Sequence, residues 1–280
     1  MRTIVHLSDL HFGHIDDAIV DPLIETAKAI RPDLVVVSGD LTQRARSGQF
    51  KAARAFLEAL CAPWIVVPGN HDVPLYNLFA RFLRPLANYR RYISDDLAPF
   101  HGDEEIAVLG INTARALTIK HGRINEEQIA SIRERLAAHG DGITKILVTH
   151  HPLHAPERGG ERAGRAPRAL AALARCRVDV LLAGHLHLSH LGHTAERYRI
   201  GGYSALALNA GTATSTRVRG ERNSFNVLRI ERPHIDVRRF TWDPERVRFI
   251  APSAEHFRHT PEGWVPVARA HSPPYQGADA

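Results

Sequence analysis

Short apolar runs recur along the first two thirds of the chain, separated by stretches whose apolar positions fall three and four apart. TIVHLSD (3–9), LVVVSGD (34–40), WIVVPGNHD (64–72), EIAVLGINT (105–113), ITKILVTHHP (143–152) and VDVLLAGHLH (178–187) read as strands, continuous enough to be covered on both faces. Between them the spacing predicts helices over 16–30, 47–60, 124–139 and near 167–175. Asp21 with Pro22, and Ser47, are the candidate starts of the first two. Residues 74–102 mix aromatics, arginines and prolines and predict short helical turns.

The pattern changes after residue 191. ALALNAG (205–211), FNVLRI (225–230) and IDVRRFTW (235–242) follow one another without helices between them, as antiparallel strands do. Pro252, Pro261, Pro266, Pro273 and Pro274 predict that 251–280 is an extended wrap with a loose tail, leaving 1–250 as one domain. Alternation followed by strands fits two facing sheets with helices outside better than one doubly wound sheet, although periodicity alone leaves both open.

Composition narrows the setting more than the chemistry. With 280 residues, 44% hydrophobic and 24% charged, the chain reads as an ordinary soluble domain. A net charge of +6 favours anionic partners without choosing among them. Cys61 and Cys176 sit in apolar stretches and read as buried thiols, so no disulfide framework is expected. MRTIVHLSDL lacks the layout of a signal peptide, and no apolar window is long enough for a transmembrane segment; the expected setting is cytoplasmic.

The candidate chemistry lies where strands stop. Five predicted strands end in Asp9-Leu10-His11, Gly39-Asp40, Gly69-Asn70-His71-Asp72, His150-His151-Pro152 and Gly184-His185-Leu186-His187. Singly, each has an ordinary account: a Gly-Asp turn, an Asn-His-Asp helix cap, two imidazoles on one strand face. Jointly, carboxylates, imidazoles and a carboxamide beyond the carboxyl ends of strands form a donor set for Zn²⁺, Mn²⁺ or Fe.

In order and spacing these five blocks resemble the calcineurin-like metallophosphoesterase superfamily, over about residues 3–215. GINT (110–113) followed by HGRINEEQI (121–129) looks like its cyclic nucleotide phosphodiesterase and glycerophosphodiesterase branch. The resemblance implies an α+β fold, an αββα four-layer sandwich of two mixed sheets flanked by helices. It also implies two divalent or transition metal ions (Mn, Fe or Zn). One would be held by Asp9, His11, Asp40 and His187, and the other by Asp40, Asn70, His150 and His185, with Asp40 shared. His150, two places before the proline, is the implied ligand, with His151 as the alternative. His71 would stand over the substrate as a catalytic residue, and Asp72 would orient it by taking its other ring proton. Two divalent ions outweigh two carboxylates, so the site would attract a phosphate, and a hydroxide held between the ions would attack phosphorus.

The implied activity is hydrolysis of a small anionic phosphodiester, such as a cyclic nucleotide or glycerophosphodiester. Alternatives are a nucleotide-sugar or lipid pyrophosphate, a phosphomonoester, or nuclease action. Nucleic acid is disfavoured because the arginines form no continuous basic track. A scaffold without catalysis ranks last, because every block is intact, and a homo-oligomer stays open. Several residues carry both a functional and a plain reading. His14 reads as a cleft or a surface residue. Arg158, Arg162, Arg165 and Arg168, like Arg217, Arg219 and Arg222, read as phosphate clamps or solvated loops. Leu75, Tyr76, Phe79, Phe82, Tyr89 and Tyr92 read as a lipid-favouring groove, a packed helical subdomain or a dimer contact. His6, inside the first strand, reads as structural.

Overall fold

The computed structural model describes residues 1–118, 120–153, 163–194, 203–217, 220–251 and 253–268. The first half runs β1 (Arg2–Leu7), α1 (Asp17–Ile30), β2 (Leu34–Val37), α2 (Ser47–Ala59), β3 (Trp64–Val66), α3 (Leu78–Leu83), α4 (Ala87–Tyr92), β4 (Phe100–Gly102) and β5 (Ile106–Ile111). It continues with α5 (Glu126–Ala137), β6 (Thr144–Thr149), α6 (Ala166–Cys176), β7 (Val180–Ala183), β8 (His190–His193) and β9 (Leu206–Asn209). The last strands are β10 (Ser224–Glu231), β11 (His234–Asp243), β12 (Arg248–Ile250), β13 (Ala254–Thr260) and β14 (Gly263–Pro266).

These strands form two sheets. One has the order β14-β13-β11-β10-β1-β2-β3, with β12 beside β11; the other has the order β4-β5-β6-β7-β9-β8. Both are mixed: β1, β2 and β3 are parallel to one another, as are β5, β6, β7 and β9, whereas the remaining pairings are antiparallel.

Strand periodicity explains why the sheets stack. Ile4, Leu34, Val36 and Ile65 of the first sheet share an inter-sheet core with Val108, Ile146, Val148 and Leu182 of the second. The alternate residues Val5, Leu7, Val35 and Val37 lie under Ile19, Leu23, Phe50 and Phe56 of α1 and α2. Leu109, Leu147 and Leu181 lie under Ile132, Leu136, Leu170 and Leu173 of α5 and α6. Each fully buried side chain contributes about 1.5–3 kcal/mol. The result is the four-layer αββα sandwich expected, and each strand reads as an unbroken apolar run because both of its faces are covered.

Local differences have local causes. Asp16, not Asp21, caps α1 by accepting from Ala18 N at 3.1 Å, and Pro22 lies inside the helix. Ser47 is the first helical residue of α2; Arg46 is its cap, and Gln49 reaches back to Arg44 N at 2.9 Å. Cys61 is exposed where α2 ends; only Cys176 is buried. The largest difference is in 251–280. Instead of an extended wrap, residues 254–266 form a hairpin in register with β11, and the indole of Trp264 enters the inter-sheet core, donating to Asp179 Oδ1 at 2.9 Å. Residues 269–280 lie outside the described residues. Among the described residues no helix is long and apolar enough to cross a membrane.

His6 faces inward like Ile4, its Nε2 2.9 Å from Ser38 Oγ, and burial pushes its ring down to about 3. A depressed folded pKa gives stability that is present above about pH 6.5 and lost as pH falls, because only the unfolded chain takes the proton. In urea unfolding of the metal-free protein, His6→Gln is expected to lose about 2 kcal/mol less than the parent between pH 7 and 4.5. Parallel pH profiles would refute this role.

Candidate metal centre

Turns at the ends of β1, β2, β6 and β7, with the short helical turn Asn70–Asp72 after β3, converge on one buried cluster. Around Asp9, its Oδ1 lies 3.6 Å from His11 Nε2 and 3.5 Å from His187 Nε2. The other group surrounds Asn70 Oδ1, which is 3.1 Å from His150 Nε2 and 3.0 Å from His185 Nδ1. Asp40 stands between the groups. Its Oδ2 lies 3.7 Å from His11 Nε2 and its Oδ1 lies 3.5 Å from His150 Nε2.

The backbone is bent to achieve this. Asp9 (φ 53°), His11 (53°), Asp40 (52°), His185 (71°) and His187 (56°) all adopt the left-handed conformation. Each costs on the order of 1 kcal/mol or more, so surrounding packing must enforce it. Close approach is enforced by glycine. A Cβ on Gly69 would overlap Asp40, and one on Gly184 would overlap Ser8 Oγ and lie 2.7 Å from Asp9 Oδ2. Ser8 Oγ and His185 N donate to that same Oδ2 at 2.6 and 3.0 Å. Gly184→Ala is therefore expected to displace Asp9 and weaken Mn²⁺ binding tenfold to roughly a hundredfold. A calorimetric titration with unchanged affinity would contradict it.

Partners behind the rings set their direction. His150 Nδ1 lies 2.8 Å from Ser38 O, so it carries the proton and Nε2 is left as a lone pair facing the cluster. His187 Nδ1 is 2.7 Å from Thr212 Oγ1. His151 is different: Nδ1 meets Thr113 Oγ1 at 2.8 Å and Nε2 meets Lys120 O at 2.9 Å. Both its nitrogens are engaged by protein, which favours His150 as the donor, although the His151 ring centroid lies 4.4 Å from that of His185, tilted by 47°.

His71 and Asp72 depart from expectation. His71 Nδ1 is bonded to Gln43 O at 3.0 Å rather than to Asp72. Asp72 instead accepts from Leu41 N, Thr42 N, Thr42 Oγ1 and Gly69 N at 2.9–3.1 Å, locking the Asp40 turn to the Asn70 turn. Its carboxylate thus positions backbone, and has no contact with the imidazole it was expected to orient. The His71 amide donates to Asp40 Oδ1 at 2.8 Å. Arg217 enters from the loop after β9, its Nη1 3.0 Å from His71 Nε2 and 3.5 Å from Gln43 Oε1. A guanidinium can only donate, so His71 is neutral here, with its proton on Nδ1. Burial and Arg217 both hold its pKa below the ordinary value.

The electrostatics fit a cation. Burial raises Asp40 to about 7, and burial with the Asp40 charge raises Asp72 likewise to about 7. Burial opposes ionisation of Asp9 too, but His187 and His11 outweigh it and hold Asp9 well below the usual carboxylate range. Burial lowers His150 to about 4. Asp9 Oδ1 and His11 Nε2 are buried with no hydrogen-bond partner among the described residues. Buried carboxylates facing inward imidazole nitrogens are poorly stable alone and form a donor set suited to divalent ions.

Residues 2–189 match the calcineurin-like phosphoesterase family, two thirds of the chain. The chain belongs to that family. Among curated relatives, the chain is 31% identical over 168 residues to glycerophosphodiester phosphodiesterase GpdQ of Enterobacter lignolyticus, covering 54% of the chain and 57% of the relative. It is 29% identical over 175 residues to 3',5'-cyclic adenosine monophosphate phosphodiesterase CpdA of Escherichia coli K12, covering 57% and 58%. The chain thus spans less than two thirds of these relatives' length. Solved structures carry the same fold: a dimetal phosphatase from Danio rerio (TM-score 0.65, 14% identity, 89% of this chain and 98% of that one), and purple acid phosphatase PPD1 from yellow lupin (0.66, 12%, 86% and 51%).

Of the remaining candidates in the chain, His14 and Arg222 are exposed. Arg165 and Arg168 pair with Glu126 at 3.2 and 2.8 Å rather than clamping the site. Arg158, Arg162 and Arg219 lie outside the described residues. Gln43, Thr212 and Ser38 were missed; the polar runs LTQ (41–43) and GTATST (211–216), just past strand ends, were the available signal.

Proposed function

We propose that the chain hydrolyses phosphodiester bonds of small anionic substrates with two divalent ions. The observation that carries this reading is Asp40, whose two carboxylate oxygens face two different imidazole groups. Asp9, His11, Asp40 and His187 would hold one ion; Asp40, Asn70, His150 and His185 would hold the other. Such ions, when bound, supply Lewis acidity toward a phosphoryl oxygen and make hydroxide available near neutral pH.

The chain's own residues would orient and protonate. Arg217 presents a guanidinium donor at the mouth of the site, suited to a phosphoryl oxygen. While it caps His71 Nε2 the imidazole stays neutral; once the guanidinium turns to phosphate, the freed Nε2 takes a proton from solvent water and passes it to the leaving alkoxide. Gln43 O keeps the ring aimed outward by holding Nδ1–H. A diester substrate is favoured because the named activities of GpdQ and CpdA are both diester hydrolyses.

The test is hydrolysis of linear diesters, cyclic nucleotides, lipid pyrophosphates and monoesters by chelator-stripped protein reloaded separately with Mn²⁺, Fe²⁺ and Zn²⁺. Diester turnover above monoester turnover is expected. Reloading should also raise thermal stability, by about 2.7 kcal/mol per site at hundredfold excess over Kd. Absence of hydrolysis with every ion and substrate would refute the proposal.

A further inference from the structure

Among the described residues, most of the large exposed apolar side chains lie in one region beyond the metal centre. Tyr76, Leu78, Phe79, Phe82 and Leu83, just after the His71 turn, are all more than half exposed, and Phe79 reaches 75%. Leu117, at 87%, joins them because Arg81, buried below, donates to Pro74 O at 3.0 Å and to Thr118 O at 2.8 Å, fastening the 114–118 turn beside α3. The fastening is specific. A buried arginine spends its guanidinium on two carbonyls to hold bulky apolar residues out in solvent, where burial would otherwise stabilise each of them.

The aromatics in this region divide cleanly. Tyr89 is fully buried, with its hydroxyl on Val66 O at 2.8 Å, so α4 is the packed part of the segment and α3 the part turned outward. Between α3, α4 and the 114–118 turn opens a cavity of about 510 Å³ lined by Leu83, Leu86, Leu97 and three arginines, Arg84, Arg90 and Arg115. The apolar face therefore continues into a recess with a cationic rim.

Charge identifies the occupant. Residues 73–94 contain Arg81, Arg84, Arg90 and Arg91 and no acid; residues 113–123 contain Arg115, Lys120 and Arg123 and no acid. On the other flank Arg44 lies over the Tyr76 ring at 5.0 Å. Asp95, the first acid after the segment, faces Arg90 at 3.8 Å. A symmetric dimer would bring this face onto itself, setting cations against cations. A surface of protruding Phe, Leu and Tyr ringed by arginines matches instead an anionic lipid surface, where apolar side chains enter the acyl boundary and guanidinium groups meet phosphates.

We propose that α3 and the 114–118 turn form a peripheral docking face for anionic lipid bilayers, beside the mouth of the metal centre. Docking does not require the hydrolytic reading to be correct. The face lies on a helix and a turn tethered to each other through Arg81, so its apolar side chains engage from where they already stand.

The test is co-sedimentation of the full chain with vesicles of phosphatidylcholine alone and of phosphatidylcholine with one third phosphatidylglycerol, at low and high salt. Two variants accompany it, Phe79→Ser with Phe82→Ser, and Arg84→Gln with Arg91→Gln; all four positions are exposed. Expected are binding to the anionic vesicles, weakening at 1 M salt where the Debye length is about 3 Å, and at least about a tenfold loss in each double variant. Circular dichroism and thermal midpoint should be unchanged in both. Binding equal to the parent in the Phe79→Ser, Phe82→Ser protein would overturn the proposal, as would absence of binding to anionic vesicles at low salt. Light scattering supplies a third arm: a parent dimer that becomes monomeric on the same double substitution would assign the face to a second copy and overturn the lipid reading.

Discussion

Asp40→Asn is expected to abolish diester hydrolysis while making the metal-free protein more stable. The two effects have one origin. Asp40 is 1% exposed, and its pKa of about 7 marks a carboxylate whose ionised form is disfavoured by burial and by nearby Asp9. Because the folded value lies above the ordinary one, its contribution is favourable at low pH and is lost as pH rises from about 4 through about 7. At pH 8 the parent therefore bears the full penalty, and Asn, which cannot ionise yet can still accept from the His71 amide, escapes it. The variant should gain on the order of 1–3 kcal/mol over the metal-free parent at pH 8 and nothing at pH 4. Its metal content should fall, and kcat/KM should drop by at least roughly a thousandfold. Elemental analysis, urea unfolding at the two pH values and diester kinetics read the three effects separately. Two retained ions with normal turnover would mean that Asp40 is not shared between them.

His71→Ala is expected to leave both ions in place and to remove most of the turnover, by about a hundredfold to a thousandfold in kcat/KM. The side chain touches Gln43 and Arg217, while its backbone amide, which alanine keeps, is what contacts Asp40. Arg217→Ala should cost less, about tenfold to a hundredfold, with the loss falling on KM as well as kcat if the guanidinium holds the phosphate. Since the two side chains are 3.0 Å apart, the double variant should fall short of the product of the single effects. Full additivity, or unchanged diester kinetics in His71→Ala, would separate the pair from catalysis.

The strands were readable because a run covered on both faces declares itself by apolar continuity, and the residues that converge on the cluster were readable because they stand where those runs stop. The left-handed backbone at Asp9, His11, Asp40, His185 and His187 was not, since side-chain spacing reports which face a residue occupies and says nothing of a reversal in φ. The support for His71 was also hidden: it is the Gln43 carbonyl, a group every residue carries, so no motif announces it. Arg217 was one of several loop arginines, and only the packing of the segment after β9 against the turn at His14 selects it. In 251–280 five prolines outweighed the alternation of Phe257 and Trp264, yet Pro261 falls in the turn of the hairpin and Pro266 at its end, where neither interrupts the ladder.

The seating of β10 between β1 and β11 has a consequence for how the protein is made. β1 carries Asp9 at its end, yet its second neighbour is not translated until residues 224–231. Until then a growing chain presents the open edge of its first strand to whatever lies nearby, so the sheet whose strands lead into Asp9 and Asp40 stays open until late in synthesis. Premature termination shortly before Ser224 should yield aggregates rather than a smaller folded domain.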